Sequence, residues 1–175
     1  MRGGACLAVL VALTSLCVPA AASVSESSES GFTISVAQTI AAPPEQVWAA
    51  LIEPARWWSD AHSWSGRASN MILEPVAGGC FCERWSGRAV EHGRVIHVAP
   101  SELLRVRGSL GPLQAEALSG VLSFTLKPQG GLTLLRVDYV VGGHARFPLT
   151  TIAPAVDQVI TEQVRRLAAL LPPGK

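Results

Sequence analysis

Between Asn70 and Val141 apolar and polar residues alternate in short runs, and the chain then closes on one long amphipathic segment. The runs are roughly NMILEPV, CFCERW, RAVEHGRVIHV, ELLRVRG, GVLSFTLK and LTLLRVDYVV. A period of two marks strands with one buried face. Gly78-Gly79, Ser86-Gly87, a Pro100-Ser101 corner and PQGG (128–131) separate most of them, and only the 109–119 connection is longer. Turns this short join antiparallel neighbours and leave no room for crossovers, so the run reads as a meander. FTISVAQTIA (Phe32 to Ala41) adds an earlier strand with Ile34, Val36 and Ile40 on one face. In TIAPAVDQVITEQVRRLAALL, residues Val156, Val159, Ile160, Val164, Leu167, Leu170 and Leu171 fall on one helical stripe. A sheet with one apolar face and a helix with one apolar stripe bury each other. The expected class is α+β: an antiparallel sheet of about seven strands with a long C-terminal helix. A short helix pair precedes the meander, opened by Pro43-Pro44 and interrupted at Pro54.

Composition removes several functional classes. Apolar residues make up 49% and charged residues 15%, which excludes general disorder. Fourteen basic residues stand against 13 acidic, with no basic run or basic helix face, so no nucleic-acid footprint is present. Met1-Arg2, the apolar stretch Ala5 to Val18 and the A-x-A pattern of Ala20-Ala21-Ala22 read as a secretory signal peptide over residues 1–22. That stretch is shorter than the roughly 20 residues of a membrane span. Leu16 before Cys17 argues against lipidation. The expectation is export to the periplasm or medium with cleavage after Ala22, and no stable membrane insertion afterwards. SVSESSESG (23–31) reads as a disordered linker, and a globular domain is expected over 32–172.

Cleavage would leave only Cys80 and Cys82, in GGCFC. An oxidising compartment invites a disulfide, but alternate residues on a regular strand have Cα atoms about 6.6 Å apart, at the limit of disulfide geometry. Half of a metal site is another reading. The favoured one is two small residues on the strand face opposite Phe81 and Trp85, dispensable for folding. No metal-binding spacing of histidines, nucleophile elbow or phosphate-binding loop occurs, so neither metal nor cofactor is expected.

Taken together, APPEQVWAAL, EPARWW, LEPVAGGCFCERWSG and GRVIHVAPSELLRVRGSLGPLQ resemble the START-like helix-grip superfamily (SRPBCC). The closest branch is similar to polyketide-cyclase-type proteins and the activator of the heat-shock protein 90 ATPase. YVVGGHA followed by APAVDQVITEQVRRL resembles the C-terminal part of exported bacterial members. The resemblance spans about Ile34 to Leu171 and implies a helix-grip fold, a curved antiparallel sheet wrapped around the long C-terminal helix, with a cavity between them. It carries over no catalytic set.

Strand register gives candidate cavity residues independently. A Ser86-Gly87 turn pairs Trp85 with Arg88, Glu83 with Val90 and Phe81 with His92. One face then carries Phe81, Glu83, Trp85, Val90, His92, Arg94, Ile96 and Val98, and its apolar character makes it the concave one. Phe124 and Tyr139 join it from later strands, and Gln163 lies near the centre of the helix stripe. Glu83, His92, Arg94, Tyr139 and Gln163 are thus polar groups aimed into an apolar interior, each needing a partner. They form an internal network, anchor a ligand, or, for Glu83 and His92, transfer protons. Trp57, Trp58 and Trp64 in one loop suggest a cover over the cavity. Glu74 either opposes Glu83 or points outwards, the second being favoured because it buries Met71 and Leu73.

The expected function is binding of a small apolar or amphipathic molecule between sheet and helix. A cyclase or lyase using Glu83 and His92 is an alternative, as is an accessory protein-interaction domain resembling the chaperone ATPase activator. The processing expectation has a direct check: N-terminal sequencing of exported protein should read from Ser23, and an intact Met1 or a lipidated Cys17 would overturn it.

Overall fold

The computed structural model describes residues 21–171. Its strands are β1 (Ala21–Ser28), β2 (Gly31–Ile40), β3 (Met71–Leu73), β4 (Cys80–Trp85), β5 (Arg88–Ala99), β6 (Leu103–Arg107), β7 (Ala117–Gln129) and β8 (Leu132–His144). They form one antiparallel sheet in the order β1-β2-β8-β7-β6-β5-β4-β3. The helices are α1 (Pro44–Leu51) and α2 (Leu149–Ala169). Leu149, Ala153, Ile160, Val164 and Leu167 of α2 are buried in one cluster with Ile34, Val36, Leu122, Leu135 and Val137 of the sheet. This is the helix-grip arrangement that the family resemblance implies, built on the antiparallel meander that the alternation predicts.

Three expectations need correction. The segment expected to be a disordered linker (23–31) is mostly strand β1, which makes eight strands rather than about seven. Its Ser/Glu composition offers little apolar surface, but its backbone pairs with β2 from Ala21↔Ala37 to Ser28↔Gly31, and Val24 packs on the core. An edge strand tolerates polar side chains because its order comes from the ladder. The expected helix pair is α1 alone, followed by three 3₁₀ turns at Pro54–Arg56, Asp60–His62 and Ala68–Asn70. The expected signal peptide lies outside the described residues except for Ala21 and Ala22, which open β1.

The third correction concerns register. Trp85↔Arg88 and Glu83↔Val90 pair as expected, but Phe81 faces Gly93 and Cys82 faces Glu91, leaving His92 as an extra residue in β5. One inserted residue inverts every later side chain. Arg94 therefore emerges on the convex face, Val95 turns into the core, and Ile96 is exposed. A second irregularity between Val95 and His97 restores the parity, so Val98 packs inward again. On β3, Met71 opposes Glu83 and Leu73 opposes Phe81. Met71 is buried and Leu73 packs on the core, while Glu74 points outwards and accepts the Cys80 N–H at 2.9 Å.

The bulge needs Gly93. A Cβ there would sit 2.5 Å from the Arg107 carbonyl oxygen and 2.7 Å from the Val106 side chain. Backbone cannot yield as a flexible side-chain tip can, so Gly93→Ala should lower stability by about 1–3 kcal/mol in chemical denaturation. A change within about 0.5 kcal/mol would show that β5 and β6 separate there without penalty.

Candidate functional site

Trp58, Ala61, His62, Ser63 and Trp64 form one side of a cavity of about 290 Å³. Ile152, Ala155, Val156, Val159 and Ile160 of α2 form the second side, and Leu110, Gly111 and Pro112 the third. His92 closes the base and is the buried polar side chain in this otherwise largely apolar wall.

The tryptophan segment has no long helix or strand of its own, so polar anchors hold it. Glu83, with no exposed surface, accepts the Trp64 N–H at 2.9 Å and the Ser65 N–H at 2.5 Å. From α2, Gln163 Oε1 accepts the Ser59 N–H at 2.8 Å, and Arg166 Nε donates to the Trp57 carbonyl at 2.8 Å. His62 Nε2 lies 3.1 Å from Glu162 Oε2 at the cavity rim. Trp58 Nε1 donates to the His62 carbonyl, closing the segment on itself. The opposite wall hangs on Tyr139, whose hydroxyl accepts the Leu110 N–H at 2.9 Å and donates to the Gly108 carbonyl at 3.1 Å. Burial pushes this phenol up to about 12, so it stays protonated and donates.

Glu83 also meets His92, with Oε2 3.2 Å from Nε2. Burial works to raise the Glu83 pKa, but hydrogen bonds from Ser65, Trp64 and His92 outweigh it and hold the carboxyl below its ordinary value. Burial lowers the His92 pKa, and the hydrogen bond and charge of Glu83 only partly offset it. An ionised Glu83 can only accept, so Nε2 of a neutral His92 carries the proton and Nδ1 keeps its lone pair. Among the described residues Nδ1 has no protein partner, and it is not among the sealed, unsatisfied atoms. The ring lies in the cavity wall, and Nδ1 is its unpaired acceptor among the described residues.

Of the candidates drawn from the sequence, Trp58, Trp64 and His92 meet around the cavity. Trp57, Phe81 and Phe124 instead pack around a second space of about 10 Å³, roughly one water, and belong to the core. Phe81 still touches the site from behind, its ring centroid 5.5 Å from that of Trp58 and 5.2 Å from that of His92. Glu83, Tyr139 and Gln163 are positioning residues with satisfied partners. Trp85 is half-buried on β4 outside the cavity wall. Arg94 is excluded by the bulge and pairs with Glu91 on the convex face. His144 is exposed and His97 lies on an exposed stretch of β5. Arg166, Ser59 and the Leu110–Pro112 wall were not foreseen. Arg166 sits on the polar side of the α2 stripe, where period alone reads it as solvated.

Cys80 and Cys82 depart from the favoured reading. Both are buried, and the structure joins them in a disulfide with Cα atoms 5.4 Å apart. They do occupy the face opposite Phe81, but their Cα atoms lie closer than a regular strand allows. Their sulfurs and a Glu91 carboxylate oxygen lie within 4.8 Å of one another.

Residues 31–172 match the family described as polyketide cyclase / dehydrase and lipid transport. The chain belongs to that family and to the polyketide-cyclase-like branch of the SRPBCC superfamily. Protein MLL2253 from Mesorhizobium loti is 24% identical, with a TM-score of 0.59 over 79% of this chain and 96% of that one. CalU16 from Micromonospora echinospora is 15% identical, with a TM-score of 0.57 over 89% and 84%. Protein CV1439 from Chromobacterium violaceum is 22% identical, with a TM-score of 0.55 over 81% and 98%. At these identities the likeness shows the fold alone. No curated protein sequence matches significantly.

The buried pair sets a pH dependence. Both pKa values lie below their ordinary values of 6.5 for His92 and 4.5 for Glu83, so the unfolded chain takes up protons first as pH falls. Stability contributed by each group is present above its unfolded value and is lost as pH drops towards the folded one. The melting temperature should start to fall as pH drops below about 6.5 through His92, and again below about 4.5 through Glu83. In His92→Gln, which retains an N–H for Glu83, the first decline should flatten. An identical profile in that variant would assign the decline to other groups.

Proposed function

We propose that the chain is an exported small-molecule-binding domain whose ligand is apolar or amphipathic and carries one hydroxyl. The observation that supports this reading is the cavity of about 290 Å³ with His92 Nδ1 as its buried acceptor. Small-molecule sites commonly have volumes of about 300–1,000 Å³, apolar walls and a few fixed polar groups. A guest that buries its rings against Trp58, Val156 and Ile160 and donates its hydroxyl to His92 uses both features. Cleavage after Ala22 would deliver the domain outside the cytoplasm, where a carrier meets such compounds.

A second reading rests on the Glu83–His92 arrangement. A neutral imidazole backed by a carboxylate and facing a sheltered cavity is equipped to accept a proton from a bound substrate, as a cyclase or lyase requires. Turnover of an added substrate, abolished in His92→Gln, would favour it over the carrier.

The binding reading is tested with two neutral probes, 1-naphthol and naphthalene, followed by quenching of tryptophan fluorescence. Wild type should hold 1-naphthol more tightly, and His92→Phe should weaken it about tenfold, roughly 1.4 kcal/mol, while leaving naphthalene unchanged. Ala155→Trp, which fills the cavity, should abolish both. Equal affinities for both probes in His92→Phe and wild type would remove the assigned acceptor. Undiminished binding in Ala155→Trp would remove the cavity.

A further inference from the structure

The convex face carries a cluster that the cavity does not use. Cys80 and Cys82 project there side by side, and β5 brings Glu91 opposite Cys82 and Arg94 opposite Cys80. The two Cα atoms are 5.4 Å apart, and a Glu91 carboxylate oxygen lies within 4.8 Å of both sulfurs. One Glu91 oxygen is held by Arg94, and Arg94 is itself tied to the Gly78 carbonyl at 3.3 Å. Among the described residues the other oxygen has no hydrogen-bond partner. The sulfurs are buried beneath this pair, while Arg94 and Glu91 are each about half exposed (side chains 51% and 47%).

We propose that Cys80, Cys82 and Glu91 form a redox-gated site for a thiophilic divalent cation, closed as the disulfide and opened by reduction. An external dithiol supplies two electrons and two protons. The Cys80–Cys82 bond breaks, two thiols form, and the dithiol leaves as its cyclic disulfide. The cation then displaces the two thiol protons and takes two thiolate sulfurs and the free Glu91 oxygen, with water completing its shell. Two soft ligands and one carboxylate select zinc or cadmium over calcium or magnesium. The site lies on the face opposite His92 and stands independently of the ligand in the cavity.

Cadmium is the probe, because its thiolate bonds absorb in the near ultraviolet. The full chain is reduced with dithiothreitol, freed of it anaerobically, and titrated with cadmium while circular dichroism monitors the fold. The expected result is one cadmium per reduced, folded chain and none in the oxidised chain. Cys82→Ser should abolish binding, and Glu91→Gln should weaken it about tenfold while leaving the fold intact. Absence of charge-transfer absorption in the reduced chain overturns the proposal. So does unaltered affinity in Glu91→Gln, since any pair of adjacent thiols would then suffice. A reduced chain that loses its fold before cadmium is added overturns it as well, because no formed site would exist.

Discussion

A carboxylate with no water around it sits at the centre of this molecule. Glu83 is fully buried, and its two oxygens gather the N–H groups of Trp64 and Ser65 and the imidazole of His92. An isolated buried charge would be costly, and these donors are what make it tolerable. The same bonds bind an irregular segment to a strand it could not otherwise recognise, and fix which nitrogen of His92 faces the cavity. Glu83 therefore supports both the tryptophan segment, alongside Gln163 and Arg166, and the tautomer of His92.

The rest of the site is a division of labour between elements. The sheet supplies the fixed partners Glu83, His92 and Tyr139, whereas α2 supplies both apolar wall and anchoring groups. Val156, Val159 and Ile160 face the cavity, and Gln163 and Arg166, about one turn further on, hold the tryptophan segment by its backbone. The chain belongs to the polyketide cyclase / dehydrase and lipid transport family, and the family match spans residues 31–172. What enters the cavity is decided by particular side chains, and fold alone is silent on it.

Much of this was legible in the residues because period-two runs, short turns and a seven-position stripe are strong signals. The alternation gave the meander, and the stripe gave α2 to within two residues at each end of its core. Register failed at one place, His92, because a bulge leaves no composition mark beyond the adjacent Gly93. From there Arg94 was placed inside and Val95 outside, each the reverse of its position. β1 was missed for a different reason: its order comes from backbone pairing, which a Ser/Glu composition hides. The disulfide was disfavoured on regular strand spacing, and the spacing at that point is not regular.

One property of β1 reaches beyond the folded state. The pairs Ala21↔Ala37, Ala22↔Val36 and Ser23↔Ser35 run across the bond at which the leader is proposed to be removed. A protease must hold its substrate as a free extended chain, and a peptide bond already laddered to β2 is denied to it. Under the proposed export, trimming has to outrun the closing of this sheet edge. Were the leader removed at that bond, the edge strand would set a deadline, because late maturation would meet a bond already sealed by the folded product.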